Sequence, residues 1–358
     1  MGRASVVNSI CHVTLRNQFT TSMARRWVLG WVASSLLMLG GCAKPDSSDN
    51  KSSASQDQST DKPLDIVVTV GMVADLVRTV GGDQITVTQL MGSGVDPHLY
   101  KATSDDIQRF MAADAIFVSG LMLEGRLEAT LKKLSEKQLV VFITDQLPKD
   151  LLHMPEESAG HPDPHVWMDV SAWANCVPRI TETLSKLRPE HAAEFQQRAD
   201  ALQKKLRVLH EYGMSSIATI PKDQRVLVTS HDAFHYFGRA YGIDVIGVQG
   251  ISTESEAGLQ RINELVDTLV QRKVSAVFVE SSVPRENILA LIDGAKARGH
   301  EVRVGGELFS DAMGSEGTWE GTYIGMLDHN ITTVTKALGG TVPEGGVKTL
   351  LESEAKAK

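Results

Sequence analysis

The chain has little cysteine, few aromatics and no concentration of positive charge. Three of its 358 residues are cysteines, and Cys11 and Cys42 fall in the leading stretch, so Cys176 stands alone in the remainder. That excludes an intramolecular disulfide there and makes Cys176 a small buried hydrophobe. The formal net charge of −8 comes without a basic cluster, which argues against a nucleic-acid partner and fits a cation only weakly. No Gly-x-Ser-x-Gly and no phosphate-cradling glycine loop occurs, so two common enzymatic frameworks are missing. Long apolar runs are absent too. The best, Trp27 to Leu39, is too short for a comfortable membrane span, and nothing later is apolar enough.

That short run reads as an address instead. Met23-Ala24-Arg25-Arg26 is a basic lead-in, and the run ends at Leu39-Gly40-Gly41-Cys42, small residues directly before a cysteine. This is the pattern of a lipobox, with Cys42 as the lipidated N-terminus; an ordinary cleaved signal with a chance cysteine is the alternative. Residues 1–22 lack any such pattern, so Met23 is a candidate initiator. Ala43 to Lys62 is almost wholly polar and cannot bury enough surface to offset its ordering entropy. The expectation is a signal peptide over 1–41 and a lipidated, tethered segment over 42–63. A folded part would follow outside the cytoplasmic membrane, held by one lipid anchor.

About 290 residues remain, enough for two lobes with separate cores. Short apolar, β-branched runs recur at Ile66–Val70, Ile85–Leu90, Ala115–Ser119 and Leu139–Thr144, then at Val226–Thr229, Val245–Val248, Ala276–Val279 and Val302–Gly305. Helical patterns lie between them at Ser104–Ala113, Leu123–Leu134, Asp232–Tyr241, Ser255–Arg272 and Arg285–Arg298. Continuous apolar strands alternating with helices mean parallel sheets covered on both faces. The expected class is α/β, with two lobes each built on a parallel four-stranded sheet. The boundaries fall at 64–188 and 219–340, with a polar tail at 341–358. Between the lobes, Pro189 suits a first helical turn. From Glu190 to about Ile217 the pattern is amphipathic without an interior proline. One rigid helix over 189–218, roughly 40 Å long at 1.5 Å per residue, would join the lobes; a helix belonging to one lobe is the alternative.

One tripeptide occurs twice. Asp96-Pro97-His98-Leu99-Tyr100 and Asp163-Pro164-His165-Val166-Trp167 each place an aromatic residue two positions after the histidine. Proline fixes its own φ and restricts the residue before it, so each imidazole leaves a stiffened turn. Ligands of open parallel sheets bind beyond the carboxyl ends of the strands. His98, His165, His231 and Asp311 all fall at such strand exits, two from each half, so the cleft between lobes is where they would meet.

The motifs Asp96-Pro97-His98, Asp163-Pro164-His165-Val166-Trp167-Met168-Asp169, Ser230-His231-Asp232-Ala233-Phe234 and Gly306-Glu307-Leu308-Phe309-Ser310-Asp311-Ala312-Met313-Gly314 resemble those of a family. It is the zinc/manganese-binding lipoproteins of ABC importers, the TroA-type, cluster A-I solute-binding proteins. The likeness runs from about Leu64 to Leu338 and includes Gln249 to Glu254 and Phe278 to Ser282. It implies two α/β lobes on a long backbone helix, metal ligands at His98, His165, His231 and Asp311, no catalysis, and delivery to a membrane permease by a monomer. Manganese-dedicated relatives commonly carry glutamate at the third ligand position, where this chain has His231. Zinc-dedicated relatives often carry a long His/Asp-rich loop before the second ligand. Here only the stretch from His153 to His161 remains, and its two histidines read as exposed loop residues or a vestigial capture loop.

Three imidazoles and a carboxylate suit zinc better than manganese, so zinc is the expected tighter binder, with manganese a physiological alternative. Neutral imidazoles are needed, so affinity should fall near and below about pH 6. His235 lies four residues after His231, the spacing of helical zinc pairs, but one turn deeper and without a His-Glu-x-x-His. Asp96 and Asp163 either orient the bound imidazoles or merely form Asp-Pro turns. Glu280 either supports the same face or closes a strand end. A surface adhesin and a zinc hydrolase are the competing classes. No separate adhesive module is present, and a hydrolase needs an open metal position and a base.

Overall fold

The computed structural model describes residues 62–156 and 160–356. The expected signal peptide, Cys42 and nearly all of the expected tether lie outside them. The first lobe runs β1 (Leu64–Val68), α1 (Gly71–Gly81), β2 (Ile85–Gln89), α2 (Ser104–Ala112), β3 (Ala115–Val118), α3 (Gly125–Leu134) and β4 (Val140–Phe142), followed by α4 (Val170–Trp173) and α5 (Val177–Leu187). Its four strands pair in parallel in the order β2-β1-β3-β4, with Ile66 opposite Val87 on one side and Ala115 on the other. Ile116, Phe117 and Val118 are buried on both faces of the sheet, as a covered parallel strand requires.

The connecting helix α6 (Ala192–Ile217) follows a single tight turn at Pro189–His191. Phe195, Ala199, Leu202, Leu206 and Leu209 are buried at alternating spacings of four and three, one face of an α-helix. That face packs against α1, α4 and α5 of the first lobe. It also packs against α7 (His235–Tyr241) and α10 (Tyr323–Ala337) of the second. One apolar core, from Leu64 through Leu206 to Tyr323 and Val347, runs through both lobes. A rod buried into both bodies resists wide hinge motion.

The second lobe contains β5 (Val226–Thr229), α7, β6 (Asp244–Gly247), α8 (Leu259–Gln271), β7 (Ala276–Glu280), α9 (Glu286–Ala297), β8 (Arg303–Leu308) and α10. It departs from the expected continuous four-stranded sheet. β5 pairs with β6 and β7 with β8, both in parallel, while β5 and β7 pack side by side. At their carboxyl ends a side chain ties these two strands: Glu280 Oε1 accepts the backbone N–H of His231 at 2.9 Å. Gly247 ends β6 where a Cβ would lie 2.7 Å from the Asp232 backbone, so only glycine lets the loop carrying His231 pack there.

Three further differences have physical causes. α1 and α10 were not read from the sequence: most of their residues are buried, and only narrow polar stripes, Asp75, Arg78 and Thr79 on α1 and His329, Thr332, Thr333 and Lys336 on α10, mark them as helices. The expected helix from Asp232 begins instead at His235, because Asp232 N donates to Gly250 O at 3.3 Å and draws that backbone into the loop between lobes. The stretch read as a polar tail holds α11 (Gly346–Lys356), whose Val347 is buried and donates its N–H to Asp328 Oδ1 at 3.0 Å.

Candidate metal centre

Both Asp-Pro-His copies build the same turn. Asp96 Oδ1 accepts the His98 N–H at 2.8 Å, and Asp163 Oδ1 accepts the His165 N–H at 3.0 Å. The aspartate closes an Asx turn over the proline and fixes where the imidazole leaves the chain. His231 follows β5 directly, with its backbone held by Glu280 and by Thr229 Oγ1. Asp311 lies three residues past β8. The preceding Ser310 carbonyl accepts Trp167 Nε1 at 3.0 Å, a bond from one lobe to the other.

These supports bring four side chains together. One donor atom from each of His98, His165, His231 and Asp311 lies within 4.8 Å of all the others. The four are 4, 0, 0 and 1 % exposed. His165 Nε2 sits 3.4 Å from both His98 Nε2 and His231 Nε2, and Asp311 oxygens lie 3.2 Å from His165 and His231 Nε2 and 3.8 Å from His98 Nε2. A tetrahedral ion about 2.1 Å from each donor would place neighbouring donors about 3.4 Å apart. Both Asp311 oxygens are buried without a hydrogen-bond partner among the described residues. A buried carboxylate facing three imidazole nitrogens needs either protons on those nitrogens or a cation among them.

The outer ring nitrogens fix the tautomers of two imidazoles. His165 Nδ1 faces Asp163 Oδ1 at 2.7 Å, and His231 Nδ1 faces Glu280 Oε2 at 2.5 Å. With Nδ1–H donated outward, each Nε2 faces inward and, once it sheds its proton, turns its lone pair to the cluster centre. His98 differs: Asp96 holds its backbone, and no carboxylate bonds its Nδ1 among the described residues. Burial pushes the His98 ring down to about 3, so it is neutral at physiological pH. Burial also opposes charge on His165, but Asp163 and Asp311 outweigh it and push the ring up to about 9. His231 is raised well above the ordinary range, since Glu280 and Asp311 outweigh its burial. Burial likewise opposes charge on Asp311, yet His231 and His165 hold its carboxyl well below the ordinary range. Without metal, the cluster therefore carries protons that any divalent ion bound there would have to displace, at higher pH than unperturbed imidazoles would give.

Above His98 opens a cavity of about 440 Å³, lined among others by Leu121, Met122, His161, Pro164 and Ile251. Of the four clustered residues, His98 is the one on its wall. His235 lies outside the cluster. Its ring stacks on His153 at 4.1 Å, and its Nδ1 is 3.5 Å from Asp232 Oδ1. His153 is tied down by its N–H to Tyr236 Oη at 3.0 Å, and His161 is exposed at the cavity. The sequence reading passed over Tyr236, whose hydroxyl donates to Asp163 O at 2.9 Å. It noted the aromatics of the two repeats without a role. Trp167 spans the lobes, and Tyr100 donates to Asp106 Oδ2 at 2.7 Å, steadying the start of α2.

Residues 66–337 match the family described as zinc-uptake complex component A, periplasmic. The zinc-binding protein TroA of Treponema pallidum (strain Nichols) is 47% identical over 285 residues, 79% of this chain and 92% of that protein. The manganese-binding lipoprotein MntA of Bacillus subtilis (strain 168) is 46% identical over 281 residues, 78% of this chain and 92% of the relative. The solved structure of periplasmic zinc-binding TroA from Treponema pallidum superposes with a TM-score of 0.75 at 46% identity, covering 77% of this chain and 99% of that one. The Fe(III)-bound structure of YtgA from Chlamydia trachomatis gives 0.72 at 28% identity, covering 78% and 100%.

Proposed function

The chain belongs to the zinc-uptake complex component A family, and on that premise we propose that it captures a divalent transition metal outside the cytoplasmic membrane and passes it to an ABC permease for import. The observation that carries the reading is the convergence of three imidazole Nε2 atoms on a buried carboxylate with no hydrogen-bond partner of its own. His98, His165, His231 and Asp311 are the ligands in this reading. Asp163 and Glu280 orient two of the imidazoles, and Asp96 fixes the backbone of the third.

Zinc is the preferred ion. Relatives at nearly equal identity are named for zinc and for manganese, so overall similarity does not separate the two. What supports zinc is the donor set: three imidazoles and one carboxylate at tetrahedral spacing suit zinc by ligand softness and by the affinity order of first-row metals. Four buried protein donors also supply what a carrier needs, and they leave no open position of the kind a zinc hydrolase uses. Among the described residues no helix is long and apolar enough to cross a membrane. A lipid at Cys42 would anchor the protein.

Calorimetric titration of demetallated protein with zinc and with manganese tests this. One zinc per chain, bound more tightly than manganese, is expected. Absence of zinc binding would overturn the reading.

A further inference from the structure

The segment Gly250–Glu256 crosses from the second lobe to the first, and both its ends are fixed in the second. At its root Gly250 O accepts Asp232 N, next to His231, and Gln249 N donates to Ser230 O at 3.0 Å. At its far end the Glu256 carboxylate accepts from Gln249 Nε2 at 3.0 Å and Asn287 Nδ2 at 3.1 Å. Between these anchors its tip reaches the first lobe. Thr253 Oγ1 donates to Asp96 Oδ2 at 2.5 Å, and Glu254 pairs with Arg126 at 2.8 Å.

The Thr253 bond is sheltered, with Thr253 8 % exposed, whereas the Glu254–Arg126 pair is exposed and contributes little. Asp96 is the acceptor that links this bond to the metal centre. Its Oδ2 takes the Thr253 hydroxyl while its Oδ1 holds the His98 N–H. The strap therefore runs from the backbone beside His231 to the turn that presents His98. Gly250, Ile251, Ser252 and Glu254 also form one wall of the cavity above His98.

We propose that Thr253 is a positioning residue that latches the two lobes and sets the rate of metal release, acting on His98 through Asp96. With the latch made, the Asp96 carboxylate is held by both lobes, and His98 cannot swing away from ligands that belong to the second. With it broken, the His98 turn is held by its own lobe alone and the cavity wall is free to lift. This rests on the metal-capture reading above.

The test is zinc dissociation from the loaded full-length protein, followed by stopped flow into excess chromophoric chelator. Thr253→Val keeps the shape and removes the hydroxyl, and it should speed release about tenfold, the effect of one hydrogen bond to a charged group. Thr253→Ser restores the hydroxyl and should return the rate to within about threefold of wild type. A Thr253→Val rate equal to wild type would overturn the latch while leaving metal capture standing. So would a serine variant as fast as the valine one, or a lowered metal-free midpoint with an unchanged dissociation rate. Wild-type protein that holds no zinc would overturn both readings.

Discussion

Replacing Glu280 with Gln perturbs the metal centre without touching a proposed ligand. Glu280 is fully buried, and both of its oxygens serve His231: Oε1 takes the backbone N–H at 2.9 Å and Oε2 faces Nδ1 at 2.5 Å. Glutamine has the same shape but one acceptor in place of two. If its oxygen keeps the backbone N–H, its amide N–H₂ faces Nδ1, and the imidazole must move its proton to Nε2, the atom aimed at the metal. If its oxygen keeps Nδ1, a backbone donor is left buried against a donor, at about 1–3 kcal/mol. Either arrangement falls in the range of lost outer-sphere support, about 10–100-fold in affinity or roughly 1.4–2.7 kcal/mol. Chelator competition at pH 7.5 should show that loss for zinc. An affinity within twofold of wild type would refute the claim that Glu280 fixes the His231 tautomer.

Other outcomes follow from the same geometry. His231→Ala should weaken zinc binding by more than a hundredfold, an order-of-magnitude expectation for losing one of four donors, while His235→Ala, outside the cluster and stacked on His153, should leave it unchanged; equilibrium competition distinguishes them. Because His165 is raised to about 9, it is protonated in the metal-free protein below that value, so affinity should rise with pH until about 9 and its contribution then level off. Calorimetry in buffers of different ionisation enthalpy should accordingly detect proton release on zinc binding at neutral pH. Zinc at about a hundred times its Kd should add about 2.7 kcal/mol of stability, raising Tm by roughly 4 °C in a scan. Gly247→Ala should cost about 1–3 kcal/mol by denaturant unfolding, since its Cβ would meet the Asp232 backbone.

The strands were legible in the sequence because buried parallel strands are short apolar runs, and β5 matches its expected bounds at Val226–Thr229. The long helix was legible because one face is apolar and the other is not. α1 and α10 were harder to read because Met72, Leu76, Tyr323 and Leu327 belong to wide buried faces, which leave only narrow polar stripes such as Asp75, Arg78 and Thr79. The four clustered residues lay at strand exits that the sequence could mark. Their supports were less visible. The ambiguity over Asp96 and Asp163 resolves differently at the two copies, since Asp163 bonds a ring nitrogen as well as a backbone amide and Asp96 bonds the amide and Thr253. Nothing in a single sequence pairs Thr253 with Asp96, because that contact depends on how the lobes meet. The four-residue spacing of His231 and His235 does not make a helical pair, because the helix starts at His235.

The central claim is that His98, His165, His231 and Asp311 hold the transported ion together. Anomalous diffraction at the zinc edge from crystals of the zinc-loaded protein tests it most directly. A single strong peak is expected about 2.0–2.2 Å from Nε2 of each of the three histidines and from an Asp311 carboxylate oxygen. A peak bound by His153 and His235 instead, or one lacking either second-lobe ligand, would contradict it.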